Sequence, residues 1–407
     1  MDLSYAVSVE FSFHDSFTTS SYLSSYTTGD HIKGVVSVIS TCDVRFDEIQ
    51  MGFIGEQSTQ ARLAVPKSAH HEFLHVVQSV EEPVLPSPRT LSKDQRYAFE
   101  FAFEVVDILP PSSCLHQSAP AHVRAAHLQL PPSLGDATTA GFGGKLRDDF
   151  APATCQICYS IQLRINRVNP LSGARETLFT KRRRLRIKPA VDHSRFPQQV
   201  GCPSWSEYCM RVEKAVYGRR GKTPAGHLSI IVQEPVRIWL PSRDPHILIC
   251  QAIQLGLSYL PFDRQHDATN LPGLNSFESK IRATTFYTTR TNDGCSWLER
   301  KEFLGQPTNF YDKNFPPFHC QVSRVSWTRA ESGAYTATLQ VPVTLPRENF
   351  LPTFYSCLIS RVYTLKLKLN VQGAGSTKLT LPMIISAKRD PEALPSYDAS
   401  VLWHGRC

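Results

Sequence analysis

Residues 335–343 read Tyr335-Thr336-Ala337-Thr338-Leu339-Gln340-Val341-Pro342-Val343. Apolar side chains hold every odd position, and Thr, Gln or Pro every even one. Successive side chains of a strand point to opposite faces, so this period of two describes a strand with one dry and one wet face. The alternation recurs on both sides. Leu365, Leu367, Leu369 and Val371 alternate with Thr364, Lys366, Lys368 and Asn370. Tyr159, Ile161, Leu163 and Ile165 alternate with Ser160, Gln162, Arg164 and Asn166. Phe99, Phe101, Phe103 and Val105 alternate with Glu100, Ala102, Glu104 and Val106. One-sided burial of this kind predicts antiparallel sheets packed in pairs.

Further strands are predicted over 32–40, 44–55, 73–80, 183–187, 228–232 and 236–240, separated by turn clusters such as Thr27-Thr28-Gly29-Asp30 and Gly373-Ala374-Gly375-Ser376. A helix over 268–280 would be broken by Pro272 and Gly273, and no amphipathic stretch exceeds three turns. The expected fold is all-β: two antiparallel β-sandwiches in tandem, at 1–190 and 205–387, with a mobile tail over 388–407. Residues 110–149, rich in Pro, Ser, Ala and Gly, read as a long loop with one strand over 123–130. Residues 190–206, punctuated by Pro197, Gly201 and Pro203, read as the interdomain linker.

Composition narrows the function. Over 407 residues, 41% hydrophobic and 20% charged side chains are those of a folded chain and not a disordered one. A net charge of +8, spread over this length, does not predict nucleic-acid binding. The start, Met1-Asp2-Leu3-Ser4-Tyr5, lacks the pattern of a signal peptide, and no apolar run reaches the length of a membrane span. Eleven scattered Cys and no Asn-x-Ser/Thr sequon fit a reducing, cytoplasmic setting.

Motifs that suggest chemistry mostly lack the context that chemistry needs. His71-Glu72-Phe73-Leu74-His75 has the zinc-protease spacing, but the β-branched run after it predicts a strand. Positions four apart on a strand stand about 13 Å apart and cannot share a metal. Cys155-Gln156-Ile157-Cys158 is a lone pair at the start of a strand, read as structural thiols. Gly141-Phe142-Gly143-Gly144-Lys145 departs from a phosphate loop, and Asp148-Asp149 lacks a further carboxylate. Gly256-Leu257-Ser258-Tyr259-Leu260 lacks the second Gly of a nucleophile elbow. The reading therefore assigns no catalytic residue, no cofactor and no metal. The basic runs Lys181-Arg182-Arg183-Arg184 and Arg219-Arg220-Gly221-Lys222 suggest an anion site for phosphorylated tails or acidic lipid headgroups, through Lys181, Arg182, Arg183, Arg184, Arg219, Arg220 and Lys222. Strand alternation would divide the first run between two faces.

Two stretches carry a resemblance. Gly29-Asp30-His31-Ile32-Lys33-Gly34-Val35-Val36, followed by residues 46–55 and by Leu109-Pro110-Pro111-Ser112-Ser113-Cys114, resembles the N-domain of arrestins. Residues 351–365, from Leu351-Pro352-Thr353-Phe354-Tyr355-Ser356-Cys357 onward, resemble the late C-domain strands of fungal arrestin-like (alpha-arrestin) proteins. The resemblance covers roughly 5–387. It implies arrestin-type sandwiches without catalytic chemistry, in a cytoplasmic adaptor recruited peripherally to membranes. Such adaptors bind tails of membrane transporters or receptors and recruit a HECT-type ubiquitin ligase. Leu394-Pro395-Ser396-Tyr397 matches the [Leu/Pro]-Pro-x-Tyr motif read by WW domains, with Pro395 in a polyproline II groove and Tyr397 in a second pocket. One motif on a short tail departs from relatives that gain avidity from several. An alternative remains open: the fold reused as a small-molecule-binding protein or an unconventional metal-free biosynthetic enzyme.

Overall fold

The computed structural model describes residues 6–14, 25–61, 67–116, 119–139, 149–170, 172–191, 209–218, 223–240, 249–263, 271–289, 309–322, 325–346 and 350–388. In chain order the first half holds β1 (Val7–Phe13), β2 (Ser25–Tyr26), β3 (His31–Ser40), β4 (Val44–Arg45), β5 (Glu48–Ala61), β6 (Lys67–Ser79), β7 (Thr90–Leu91), β8 (Arg96–Glu104), α1 (Ala121–His127), β9 (Cys155–Val168) and β10 (Arg175–Ile187). The second half holds β11 (Met210–Tyr217), β12 (Pro224–Val232), β13 (Val236–Leu240), β14 (Cys250–Pro261), β15 (Leu274–Tyr287), β16 (Asn309–Asn314), β17 (Phe318–Gln321), β18 (Thr328–Arg329), β19 (Tyr335–Thr344), β20 (Phe354–Tyr355), β21 (Ile359–Val371) and β22 (Gly375–Ala387).

The strands make an all-β molecule of arrestin-like sandwiches. In the first, a three-stranded sheet β1-β3-β8 faces a five-stranded sheet β2-β10-β9-β5-β6. Their inner faces meet in one core that includes Ile32, Val36, Phe53, Phe99, Phe101, Phe103, Tyr159 and Ile161. In the second, β11-β12-β14-β19-β18 faces a seven-stranded sheet built around β13-β22-β21-β15-β16, with β17 on β15 and β20 on β21. Leu228, Leu255, Phe277, Val341, Leu367 and Leu381 lie in its core. Pairing is antiparallel except where β2 joins β10 and β13 joins β22, both parallel.

Period-two strands fold as their pattern dictates. On β8, Phe99, Phe101 and Phe103 are buried while Glu100, Ala102 and Glu104 face water. On β19, Tyr335, Ala337, Leu339, Val341 and Val343 are buried. At the start of β3, Gly29 takes φ 84°, a left-handed conformation open to glycine, and Thr27 N–H donates to Asp30 Oδ2 at 2.7 Å to close the turn. Gly34 lies opposite Phe101, whose ring covers the space a side chain would need.

Two expectations are corrected. The stretch read as a strand over 123–130 is the helix α1 in its first half. Pro120 precedes its first turn, and Ala121, Ala125 and Ala126 favour helix while Val123, Ala126 and His127 turn inward at helical spacing. The breakers Pro272 and Gly273, which exclude a helix there, immediately precede the long strand β15. Its inward positions carry Ser279, Ala283 and Thr285 beside Phe277 and Ile281, so its apolar signal is dilute. Finally, β9 is buried on both faces: Ser160, Gln162 and Asn166 are as enclosed as Tyr159 and Ile161. As the central strand between β5 and β10 it satisfies these polar groups laterally, with Gln162 Nε2 donating to Thr180 Oγ1 at 2.9 Å.

Each half also lends residues to the other. Leu351, Phe354, Leu358 and Ile359, from the late part of the chain, sit in the first core. In return Phe150 packs edge-on against Phe315 and Phe350, with ring centroids 5.1 Å and 5.7 Å away.

Candidate functional site

The sequence-predicted sites fare differently. Leu394, Pro395, Ser396 and Tyr397, and the loop cations Arg219, Arg220 and Lys222, lie outside the described residues, as do 141–148 of the glycine-rich loop and 192–208 of the linker reading. The first basic run lies on β10 and is divided by its alternation. Arg182 and Arg184 turn to one face and both bond the carboxylate of Glu56 on β5, at 3.0 Å and 2.9 Å. Lys181 and Arg183 share the opposite face with Phe179 and Leu185, and stand exposed. Burial alone would raise the Glu56 pKa, but the bonds and charges of Arg184 and Arg182 outweigh it and hold it below its ordinary 4.5. A lowered pKa adds stability above about pH 4.5 that disappears as pH falls through the folded-state value. Glu56→Gln is expected to cost about 1 kcal/mol at pH 7 and to flatten the acid limb of a Tm-against-pH series. Parallel limbs for the two proteins would refute that role.

The zinc-protease spacing lies on β6, a strand, as its β-branched flank predicts. His71 points inward to Gln57, 2.9 Å from its Nε2, and burial lowers its pKa. His75 pairs instead with Glu72 at 2.9 Å. Cys155 and Cys158 are buried free thiols, and burial pushes the Cys155 thiol up to about 12 and that of Cys158 higher still. Neither motif belongs to a group of three or more converging ligand residues among the described residues.

A different group of residues does converge. Cys114, His116, His127 and Cys357 are all buried, and one ligand atom from each lies within 4.8 Å of the others. Cys114 follows the 3-10 turn Pro111–Ser113, His127 ends α1, and Cys357 lies between β20 and β21. The Cys357 and Cys114 sulfurs are 4.0 Å apart, and His127 Nδ1 lies 3.8 Å from Cys114 and 3.9 Å from Cys357. The rings of His116 and His127 meet edge-on at 5.1 Å. The hydrogen bond from Cys357 holds the Cys114 thiol far below its ordinary value and, with burial, raises that of Cys357. Sequence reasoning passed over this group because Cys114 and Cys357 are 243 residues apart. The only local signal is the Cys114-x-His116 pair inside a loop.

Arg361, on β21, is fully buried. Its Nε donates to Thr285 Oγ1 at 2.8 Å, and its guanidinium nitrogens donate to the carbonyls of Asp149 at 3.0 Å and Phe150 at 3.4 Å. Phe150 takes φ 54°, a conformation an aromatic residue adopts only when its surroundings hold it. Further links cross the same junction. Ser356 Oγ donates to Gln57 Oε1 at 2.7 Å, and Thr59 Oγ1 donates to the Thr288 carbonyl at 2.6 Å. Specific polar contacts thus cross the junction between the halves alongside the packing of Phe150 on Phe315 and Phe350.

Residues 276–388 match the family model described as the Bul1 C terminus, an arrestin-related trafficking adaptor family in yeast. The match spans nearly all of β15 and runs through β22, and so includes both Cys357 and Arg361. It agrees with the resemblance to fungal arrestin-like proteins. No curated protein matches the chain. Among the described residues no helix is long and apolar enough to cross a membrane.

Proposed function

We propose that this chain, whose residues 276–388 are similar to the Bul1 C terminus, is an arrestin-like trafficking adaptor. It binds cytoplasmic parts of membrane transporters or receptors and recruits a WW-domain HECT ubiquitin ligase. The likeness of residues 276–388 to an adaptor family is the observation that carries the reading. The all-β sandwich architecture supports it, since arrestin-type sandwiches present strand edges and loops to peptide segments. The proposed boundaries are 1–190 and 205–387 for the sandwiches and 388–407 for the tail that carries the recruiting motif.

Lys181 and Arg183, exposed on β10, are the described cations left to meet an acidic cargo tail or lipid headgroup, because Glu56 takes Arg182 and Arg184. Recruitment depends on Leu394, Pro395 and Tyr397. Full-length protein is expected to bind WW domains of a HECT ligase with micromolar affinity, and Tyr397→Ala to weaken that binding at least about tenfold, or about 1.4 kcal/mol. Isothermal titration of both proteins against the isolated WW domains reads this directly. Equal affinity of parent and variant would remove Leu394–Tyr397 from the mechanism.

A further inference from the structure

We infer that Cys114, His116, His127 and Cys357 form a structural zinc site that clamps the first sandwich to the second. Three observations carry it. The first is spacing. Zn–S bonds of about 2.3 Å and Zn–N bonds of 2.0–2.1 Å place sulfurs about 3.8 Å apart and sulfur and nitrogen about 3.6 Å apart in a tetrahedron. The observed edges are 4.0 Å for Cys114–Cys357 and 3.8 Å and 3.9 Å from His127 Nδ1 to the two sulfurs. His116 completes the set, with all four ligand atoms within 4.8 Å.

The second is satisfaction. All four residues are buried, and Cys114 and Cys357 are free thiols. The Nδ1 of His116 has no hydrogen-bond partner among the described residues. A buried polar atom left in this way destabilises the metal-free site. Two thiolates neutralise one Zn2+, so the loaded site carries no net charge into the interior, and a zinc ion gives the two imidazoles a shared partner. The Leu115 N–H already donates to Cys357 Sγ at 3.4 Å, a contact that orients a ligating sulfur.

The third is placement. Cys114, His116 and His127 come from the loop and helix between β8 and β9, whereas Cys357 comes from the segment that the second half inserts into the first core. Three ligands from one sandwich and one from the chain of the other make a closed site with no position for substrate. Its role is therefore structural.

Full-length protein purified without chelator is expected to hold one zinc per chain by elemental mass spectrometry. Replacing zinc with Co2+ is expected to give the visible bands of tetrahedral cobalt and a thiolate charge-transfer band with the intensity of two sulfurs. The double variant Cys114→Ser/Cys357→Ser loses the metal and both bands, while Cys250→Ser, an exposed cysteine, keeps them. Stripping the metal lowers the Tm, and added zinc restores it. A parent that takes up neither zinc nor cobalt overturns the site, as does octahedral cobalt, metal retained by the double variant, or Cys114 and Cys357 recovered as a disulfide. A Tm that does not move when the metal leaves overturns the clamp. If the double variant does not fold, the cobalt spectrum of the parent still counts the thiolates.

Discussion

Arg361→Ala is expected to lower the thermal midpoint by about 6–20 °C, the largest single effect at the junction, through a loss of roughly 3–5 kcal/mol from the emptied volume and the stranded acceptors. The side chain is fully buried and spans three acceptors: Thr285 Oγ1 on β15 and the carbonyls of Asp149 and Phe150 ahead of β9. Truncation empties a large volume and strands those carbonyls without a donor. It also frees Phe150, whose positive φ is held partly by that bond, and so loosens the ring that packs on Phe315 and Phe350. Two companions separate the causes. Arg361→Lys keeps the charge but cannot reach three acceptors at once, so it recovers only part of the loss. Arg361→Met keeps volume without charge and is expected to lie between Lys and Ala or above both. Scanning fluorimetry of the three proteins decides. A shift within a degree or two for Arg361→Ala would show that the junction does not depend on this side chain.

Gly34→Val is expected to destabilise the first sandwich by roughly 2–4 kcal/mol, seen as a lowered Tm and faster amide exchange across β1 and β3. Gly34 sits on β3 between Phe13 of β1 and Phe101 of β8. A Cβ there would meet the backbone carbonyl of Ser12 and lie 2.6 Å from Phe101 Cζ. The ring can turn, but the carbonyl cannot move without breaking the β1–β3 ladder. A Phe101→Ala background should therefore rescue only part of the loss, a partial coupling that a double-mutant cycle resolves. Full rescue would place the clash in the ring alone, and no loss would mean that β1 does not pack as described.

How much of this was legible differs by feature. The alternation of Phe99–Phe103 and of Tyr335–Val343 was plain because one wet face and one dry face repeat every two residues. The Gly29-Asp30 turn was legible because a left-handed turn calls for glycine. The strand β15 was obscured because its neighbours let small polar side chains such as Ser279 and Thr285 point inward. The helix α1 was obscured because seven residues are too few to show a period of 3.6 against a strand-like apolar run. The basic run on β10 was correctly suspected of splitting, yet its partner, Glu56, is 126 residues from Arg182.

By itself, then, the amino-acid sequence determined the strand content, the buried face of most strands and the tandem all-β plan, because those follow from side-chain period and turn chemistry between near neighbours. Only the tertiary structure decided that Cys114, His116 and His127 meet Cys357, and that Arg361 bonds carbonyls 211 and 212 residues away. Those meetings depend on how two sandwiches exchange segments across their junction. That exchange is set by the packing of whole sheets, and no periodicity along the chain encodes the distance between residues so far apart.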